Sequence, residues 1–249
     1  MGMILNSSKH SGFTLVEMAM AMIIIGLVIG GILGAGKIKE NAEVMDIIKG
    51  IALYESSAIK FKQIYGELPG DLRDPSARLT NCNAVPCSRA GNGDGALDIA
   101  LAATAAYTVT NERFVFWNHL LSAGLITGFR GTDTLAFGEG LPAISEKGGG
   151  FSIFYSASAG FGGWPYSAGR PYHALAFSAS AIGASPVGWN ATIKNGMVEK
   201  IDKKIDDGLA IWGKVQCGLV GTCTTLAPTA SIYDVDHNTL TNIFYLTKF

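Results

Sequence analysis

The stretch SGFTLVEMAMAMIIIGLVIGGILGAG, residues 11–36, carries a single charge, at Glu17. A bilayer core about 30 Å thick is crossed by about 20 helical residues, so this block is long enough to span one. A secretory signal peptide is the alternative reading. Its apolar core would be about 7–15 residues and would end at a small-residue cleavage site. The block is longer than that, and ILGAG at 32–36 is its nearest approach to such a site. Glu17 needs its own account, because a carboxylate deep in hydrocarbon costs about 2.5–3.5 kcal/mol and usually has a partner and a function. A position at the headgroup level would explain why the acid is tolerated, but not why it is there.

Gly12-Phe13-Thr14-Leu15-Val16-Glu17-Met18 opens the apolar block directly. This run resembles the prepilin signature of type IV pilins and type II secretion pseudopilins. The resemblance implies cleavage after Gly12 by a prepilin peptidase and N-methylation of the new terminal residue, Phe13. It assigns Glu17 to assembly. The leader, residues 1–12, is short and polar like the family's, but its only basic side chains are Lys9 and His10. A cut after Gly12 leaves an amine on Phe13, and Glu17 lies about 6 Å further along a helix. In a staggered bundle the amine of one subunit can meet the carboxylate of the next. An unpaired charge in apolar surroundings is strongly unfavourable, so the pair acts as a register device. Charge alone does not orient the span, since Lys9 precedes it and Lys37 and Lys39 follow it. The resemblance implies a single pass through the bacterial inner membrane, with the leader on its inner side and the head in the periplasm, and later a place in a pilus or pseudopilus filament.

Beyond Gly36 the chain continues as an amphipathic helix. Val44, Ile47, Ile51, Tyr54, Ala58, Phe61 and Tyr65 recur at spacings of three and four, with Glu43, Asp46, Lys60 and Gln63 off the stripe. Gly66 and Pro69 end it. A continuous helix over 13–65 would be about 80 Å long. Gly26, Gly30, Gly31, Gly34 and Gly36 punctuate its first half. They suit close helix packing through small residues, or a segment able to unwind on leaving the bilayer. The expected fold class is α+β. It is a pilin-like lollipop whose long N-terminal helix, transmembrane then amphipathic, packs on a head with a small antiparallel sheet and short helices. The expected divisions are a leader at 1–12, the two halves of the long helix at 13–36 and 37–65, and a globular head at 66–249.

Within the head, residues 66–100 are rich in Gly, Pro, Asn and Asp and read as loop. NERFVFWNHLLSAGLI reads as a helix from Asn111 to about Ala123, with Phe114, Trp117, Leu120 and Leu121 on its apolar side. Gly124 and Leu125 form its C-terminal cap. GFSIFYSAS and PYHALAFSA alternate with period two and read as antiparallel strands. KNG at 194–196 reads as a turn and MVEKIDKKIDDG as a short helix with Met197, Ile201 and Ile205 inward. GKVQCGL reads as a strand, and NIFYLTKF as a short strand or an apolar plug. LPGD, GNGDG, WNHLLSAGLI and IDKKIDDG followed by GKV also resemble a large-headed subgroup of prepilin-like proteins.

Four cysteines fall in two close pairs, Cys82 with Cys87 and Cys217 with Cys223. Even number and tight pairing favour disulfides in an oxidising compartment. Zinc fits less well, because its ligand pairs usually sit closer in sequence. Asn92, Asp94 and Asp98 suggest half of a calcium loop, with Asp71 or Glu112 able to complete it. In an EF-hand frame, however, Ala90 and Leu101 would occupy two ligand positions without a ligand oxygen. An Asn/Asp/Gly-rich turn accounts for the same residues.

Asp202, Asp206 and Asp207, mixed with Lys200, Lys203 and Lys204, read as a solvated helix face before a metal or docking site, although Asp206 and Asp207 oppose the helix dipole at its C-terminal end, which leaves a hydrogen-bonding or ion role open. His10, His119, His173 and His237 have no metal-site spacing. His119 is expected to be partly buried and hydrogen-bonded. Phe161, Trp164, Tyr166 and Tyr172 read as plugs over sheet edges before a ligand patch. There is no nucleophile elbow, P-loop or dinucleotide fingerprint. A net charge of −1 gives no basic bias toward nucleic acid.

Two classes of function remain. One is a non-enzymatic filament subunit whose partners are the prepilin peptidase, other pilin or pseudopilin subunits and an inner-membrane assembly platform. The other is a membrane-anchored periplasmic binding module, adhesin or enzyme that uses the same anchor.

Overall fold

The computed structural model of the chain describes residues 12–97, 108–144, 149–156, 171–178, 193–217, 223, 232–235, 240–241 and 243–249. Helix α1 runs from Leu15 to Tyr65. It crosses between two compact units, Met1–Ala42 and Glu43–Phe249. In the first unit the helix continues through Gly26, Gly30, Gly31 and Gly36, none of which has another group within 4 Å of where a Cβ would lie. Among the described residues its apolar side chains from Leu15 to Ala42 are exposed, and its most apolar 18-residue window has a mean hydropathy of 2.4. By length and composition it can cross a membrane.

In the second unit the expected stripe goes inward. Val44, Ile47, Ile51, Tyr54, Ala58 and Phe61 are buried, and Tyr65 is half-buried at its end. α1 meets helix α3, Glu112–Ser122, and strand β1, Gly150–Ser156. The Tyr54 ring packs edge-on against Trp117 at 5.0 Å and against Phe151 at 5.3 Å. Between α1 and α3 lies a loop region interrupted by one helical turn, α2, Pro75–Arg78.

α3 ends as its sequence directs. The Gly124 N–H donates to the Leu121 carbonyl and the Leu125 N–H to the Leu120 carbonyl, both at 3.0 Å. This is the Schellman arrangement, and Gly124 takes the left-handed conformation it requires, φ +67°. The apolar-side expectation was too narrow, however. Every residue from Glu112 to Leu120 is buried, including Arg113, Asn118 and His119. α3 is an interior helix, covered by α1, the sheet and the loop before it.

The main sheet has the order β1-β2-β6-β4, with β2 at Tyr172–Ser178, β4 at Val215–Cys217 and β6 at Ile243–Leu246. All its pairs are antiparallel, and Phe151 lies opposite Phe177 and Ile153 opposite Leu175. Two short strands, β3 at Ile193–Lys194 and β5 at Leu240–Thr241, pair separately. Both predicted strands of the β1–β2 pair form. NIFYLTKF supplies β6, an inner strand of the sheet rather than a plug. The KNG turn is corrected: helix α4 spans Asn195–Ile205, so Asn195 and Gly196 lie in its first turn. Asn195 is held there by its side-chain amide, which donates to the Asp234 carbonyl at 2.9 Å.

The Glu55 carboxylate on α1 ties the helix to the end of the sheet. It accepts from the Tyr245 hydroxyl and the Lys248 N–H, both at 3.0 Å. Trp117 is fully buried at the centre of this packing. Replacing a buried Trp by Ala costs about 3–5 kcal/mol. Trp117→Ala is therefore expected to lower unfolding stability by that amount, read from urea denaturation of the second unit's tertiary signal.

Candidate functional site

Gly12 and Phe13 lie just before α1, and Phe13 is 84% exposed. Thr14 precedes the first helical residue, and Glu17 stands in the first turn. The Thr14 N–H and the Thr14 hydroxyl both donate to Glu17 Oε2 at 2.8 Å, while the Glu17 N–H donates to Thr14 Oγ1 at 3.3 Å. This is a reciprocal capping box. It satisfies backbone donors that have no partner inside the helix. The carboxylate also sits at the positive end of the helix dipole. Glu17 is therefore held at the entrance of its own helix. The T-x-x-E pattern that builds this cap is legible in Thr14-Leu15-Val16-Glu17.

The other predicted residues fall elsewhere. Cys82 bonds to Cys87 and Cys217 to Cys223, with Cα–Cα distances of 5.2 and 6.4 Å. His119 is fully buried beside the first pair. Its Nδ1 accepts from the Gly70 N–H at 2.9 Å, so its Nε2–H donates to the Cys87 carbonyl at 3.0 Å. It fastens the LPGD turn to the disulfide loop. A side chain on Gly70 would collide with the Glu112 carbonyl at 2.3 Å, so only glycine fits there. Burial pushes the His119 imidazole down to about 4. Burial, aided by the Lys62 charge, does the same to His173.

In the GNGDG loop, Asn92 and Asp94 are exposed and bonded to each other. The Asn92 side-chain amide donates to Asp94 Oδ2 at 3.0 Å, and the Asp94 N–H to Asn92 Oδ1 at 2.9 Å. Asp98 lies outside the described residues, as do Phe161, Trp164, Tyr166, His10 and His237. Asp71 and Glu112 do reach the loop, but as acceptors of its backbone. Gly93 and Gly95 donate to the two oxygens of Asp71 at 2.6 and 2.8 Å, and the Asn92 N–H to Glu112 Oε1 at 3.0 Å.

The solvated face expected for the α4 aspartates is corrected at Asp202, which is 0% exposed. Its Oδ2 accepts from the Tyr233 hydroxyl at 2.9 Å. Burial pushes its carboxyl up to about 6, against the pull of Tyr233 and the Gly208 N–H. Tyr172, expected to cover a sheet edge, is buried within β2.

Residues 7–33 match the family model described as the prokaryotic N-terminal methylation motif. No curated protein and no solved structure matches the chain.

The buried histidines set a pH dependence. Their folded values, about 4, lie below the unfolded value, so the unfolded chain binds more protons between the two. Their stability contribution is complete above about pH 6.5 and is lost as pH falls toward 4, by about 3 kcal/mol each. Asp202 acts in the opposite sense. Its folded value is raised, so its burial penalty is relieved as pH falls through about 6. The two histidines outweigh it, and melting temperature is expected to fall between pH 7 and pH 4.5. His119→Gln should start lower at pH 7 but show a shallower fall, read from thermal melts at the two pH values.

Proposed function

We propose that this chain, which carries at residues 7–33 the N-terminal signature of type IV pilins and pseudopilins, is a structural subunit of a type IV pilus or type II secretion pseudopilus. It performs no catalysis in this role, and its leader is the substrate of a prepilin peptidase. Cleavage falls after Gly12, and the peptidase methylates the amine of Phe13. Before assembly, the subunit is anchored in the bacterial inner membrane by the first half of α1, with the second unit in the periplasm. The assembly platform then passes it to a filament of other pilin or pseudopilin subunits.

The supporting observation is the start of α1. A helix with its apolar residues exposed all round can be covered only by lipid or by other helices. The one acid of its apolar block, residues 11–36, stands in the first turn, four residues from the amine that cleavage would create. Thr14 holds that acid while the subunit is alone. In the filament, the methylated amine of a neighbouring subunit replaces those donors. Both charges are then paired in apolar surroundings, and the stagger between subunits is defined.

Mass spectrometry of the mature N-terminus tests the reading. N-methyl-Phe13 as the first residue is the expected result. An intact leader, or cleavage near Gly36, points instead to an anchored binding module or enzyme. Glu17→Val is expected to insert in the membrane normally yet fail in assembly, because the neighbour's amine loses its partner in apolar surroundings. Sheared filaments from cells expressing this variant should hold less than about one-tenth of the wild-type amount of subunit. Wild-type incorporation would refute the pairing.

A further inference from the structure

We propose that Asn92–Gly93 and Asp94–Gly95 form a latent site of succinimide chemistry, and that the buried Asp71 carboxylate holds it unreacted. The reaction is intramolecular. The glycine backbone nitrogen gives its proton to hydroxide and attacks Cγ of the residue before it. At Asn92 a bond forms between Gly93 N and Cγ, the Cγ–Nδ2 bond breaks, and Nδ2 takes up a proton and leaves as ammonia. Water then opens the five-membered imide at either carbonyl, giving aspartate or isoaspartate. At Asp94 the same attack expels water instead of ammonia. Glycine is the least hindered nucleophile for this step, because it has no Cβ beside the nitrogen.

The loop cannot avoid glycine at these positions. Gly93 and Gly95 have φ of +71° and +83°, a region that other residues rarely enter. The turn geometry therefore sets two labile peptide units in succession, with Asn92 and Asp94 both exposed to solvent.

Two sets of contacts oppose the reaction. The nitrogens that would attack are the ones that donate to Asp71, Gly93 to Oδ1 at 2.6 Å and Gly95 to Oδ2 at 2.8 Å. Asp71 is only 1% exposed, so water does not readily replace it as the acceptor. A carboxylate is far too weak a base to remove an amide proton, and its charge opposes an amide anion beside it. The electrophilic side chains are tied as well. Asn92 Oδ1 accepts from the Asp94 N–H at 2.9 Å, Asp94 Oδ1 from the Ala96 N–H at 2.8 Å, and Asn92 Nδ2 donates to Asp94 Oδ2 at 3.0 Å. Attack turns Cγ from planar to tetrahedral and moves the atoms that make these bonds. Glu112 fixes the backbone from the other side by accepting the Asn92 N–H at 3.0 Å.

The sequence holds two more dipeptides of this kind. At Asp207–Gly208 the glycine N–H again faces a buried carboxylate, that of Asp202. At Asn195–Gly196 the asparagine is 1% exposed and lies in the first turn of α4.

The test is mass spectrometry of the tryptic peptide spanning residues 90–113, after warm incubation of the full-length chain at mildly alkaline pH in detergent or in urea. Asn92 should deamidate at least about 100-fold more slowly in the folded protein, because two or more hydrogen bonds must break, one of them to a charged acceptor. Asp71→Asn keeps the shape and removes the charge, and should raise the folded rate at least about ten-fold, with isoaspartate appearing at position 92. Arg73→Ala removes the guanidinium contact to the Gly93 carbonyl and leaves Asp71 in place, so it should keep the wild-type rate. Amide hydrogen exchange of the unmutated chain should show Gly93 and Gly95 protected, and this reading decides if Asp71→Asn does not fold. The proposal is overturned if folded wild type deamidates at Asn92 as fast as the chain in urea, or if folded Asp71→Asn keeps the wild-type rate. It is equally overturned if Arg73→Ala accelerates the reaction as much as Asp71→Asn, or if the two glycine amides exchange at the unfolded rate.

Discussion

The second unit is organised around one aromatic joint. Tyr54 of α1 meets Trp117 of α3 and Phe151 of β1, each edge-to-face. Phe151 continues the chain of rings to Phe177 on β2 at 5.4 Å. Large rings in this geometry combine wide apolar burial with a directional preference. The joint therefore sets how the helix, the interior helix and the sheet face one another. The rest of the stripe, from Val44 to Phe61, extends the same seam along α1.

The first unit obeys a different constraint. From Leu15 to Gly36 its part of α1 has no polar face to offer water, so apolar surroundings suit it best. Within such surroundings a lone carboxylate is tolerable only while something donates to it. Thr14 does so through its backbone and its hydroxyl. The same atoms thus cap the helix and hold the acid in its first turn.

Buried polar groups recur where loops must be fixed without secondary structure. His119 joins the LPGD turn to the Cys82–Cys87 loop through both ring nitrogens. Asp71 receives two N–H groups from the GNGDG loop. Both arrangements replace a ladder of backbone hydrogen bonds with one side chain that makes two hydrogen bonds. Asp202 differs from them because only one of its oxygens is bonded among the described residues.

From the sequence alone, the long helix, its change from all-round to one-sided apolarity, the Schellman end of α3 and the β1–β2 pair were legible. Each is written in local periodicity or in one residue with an unusual backbone preference. The cysteine pairing was legible because both partners lie close together in the chain. What the sequence withheld depends on partners distant along it. α3 looks amphipathic by composition, yet α1, the sheet and a loop close over all its sides. Asp202 looks solvated among lysines, yet Tyr233 and the turn after α4 cover it. NIFYLTKF looks terminal, yet β2 and β4 pair on either side of it. Burial of a polar or short segment follows from what folds against it, and no local pattern of hydrophobicity encodes that.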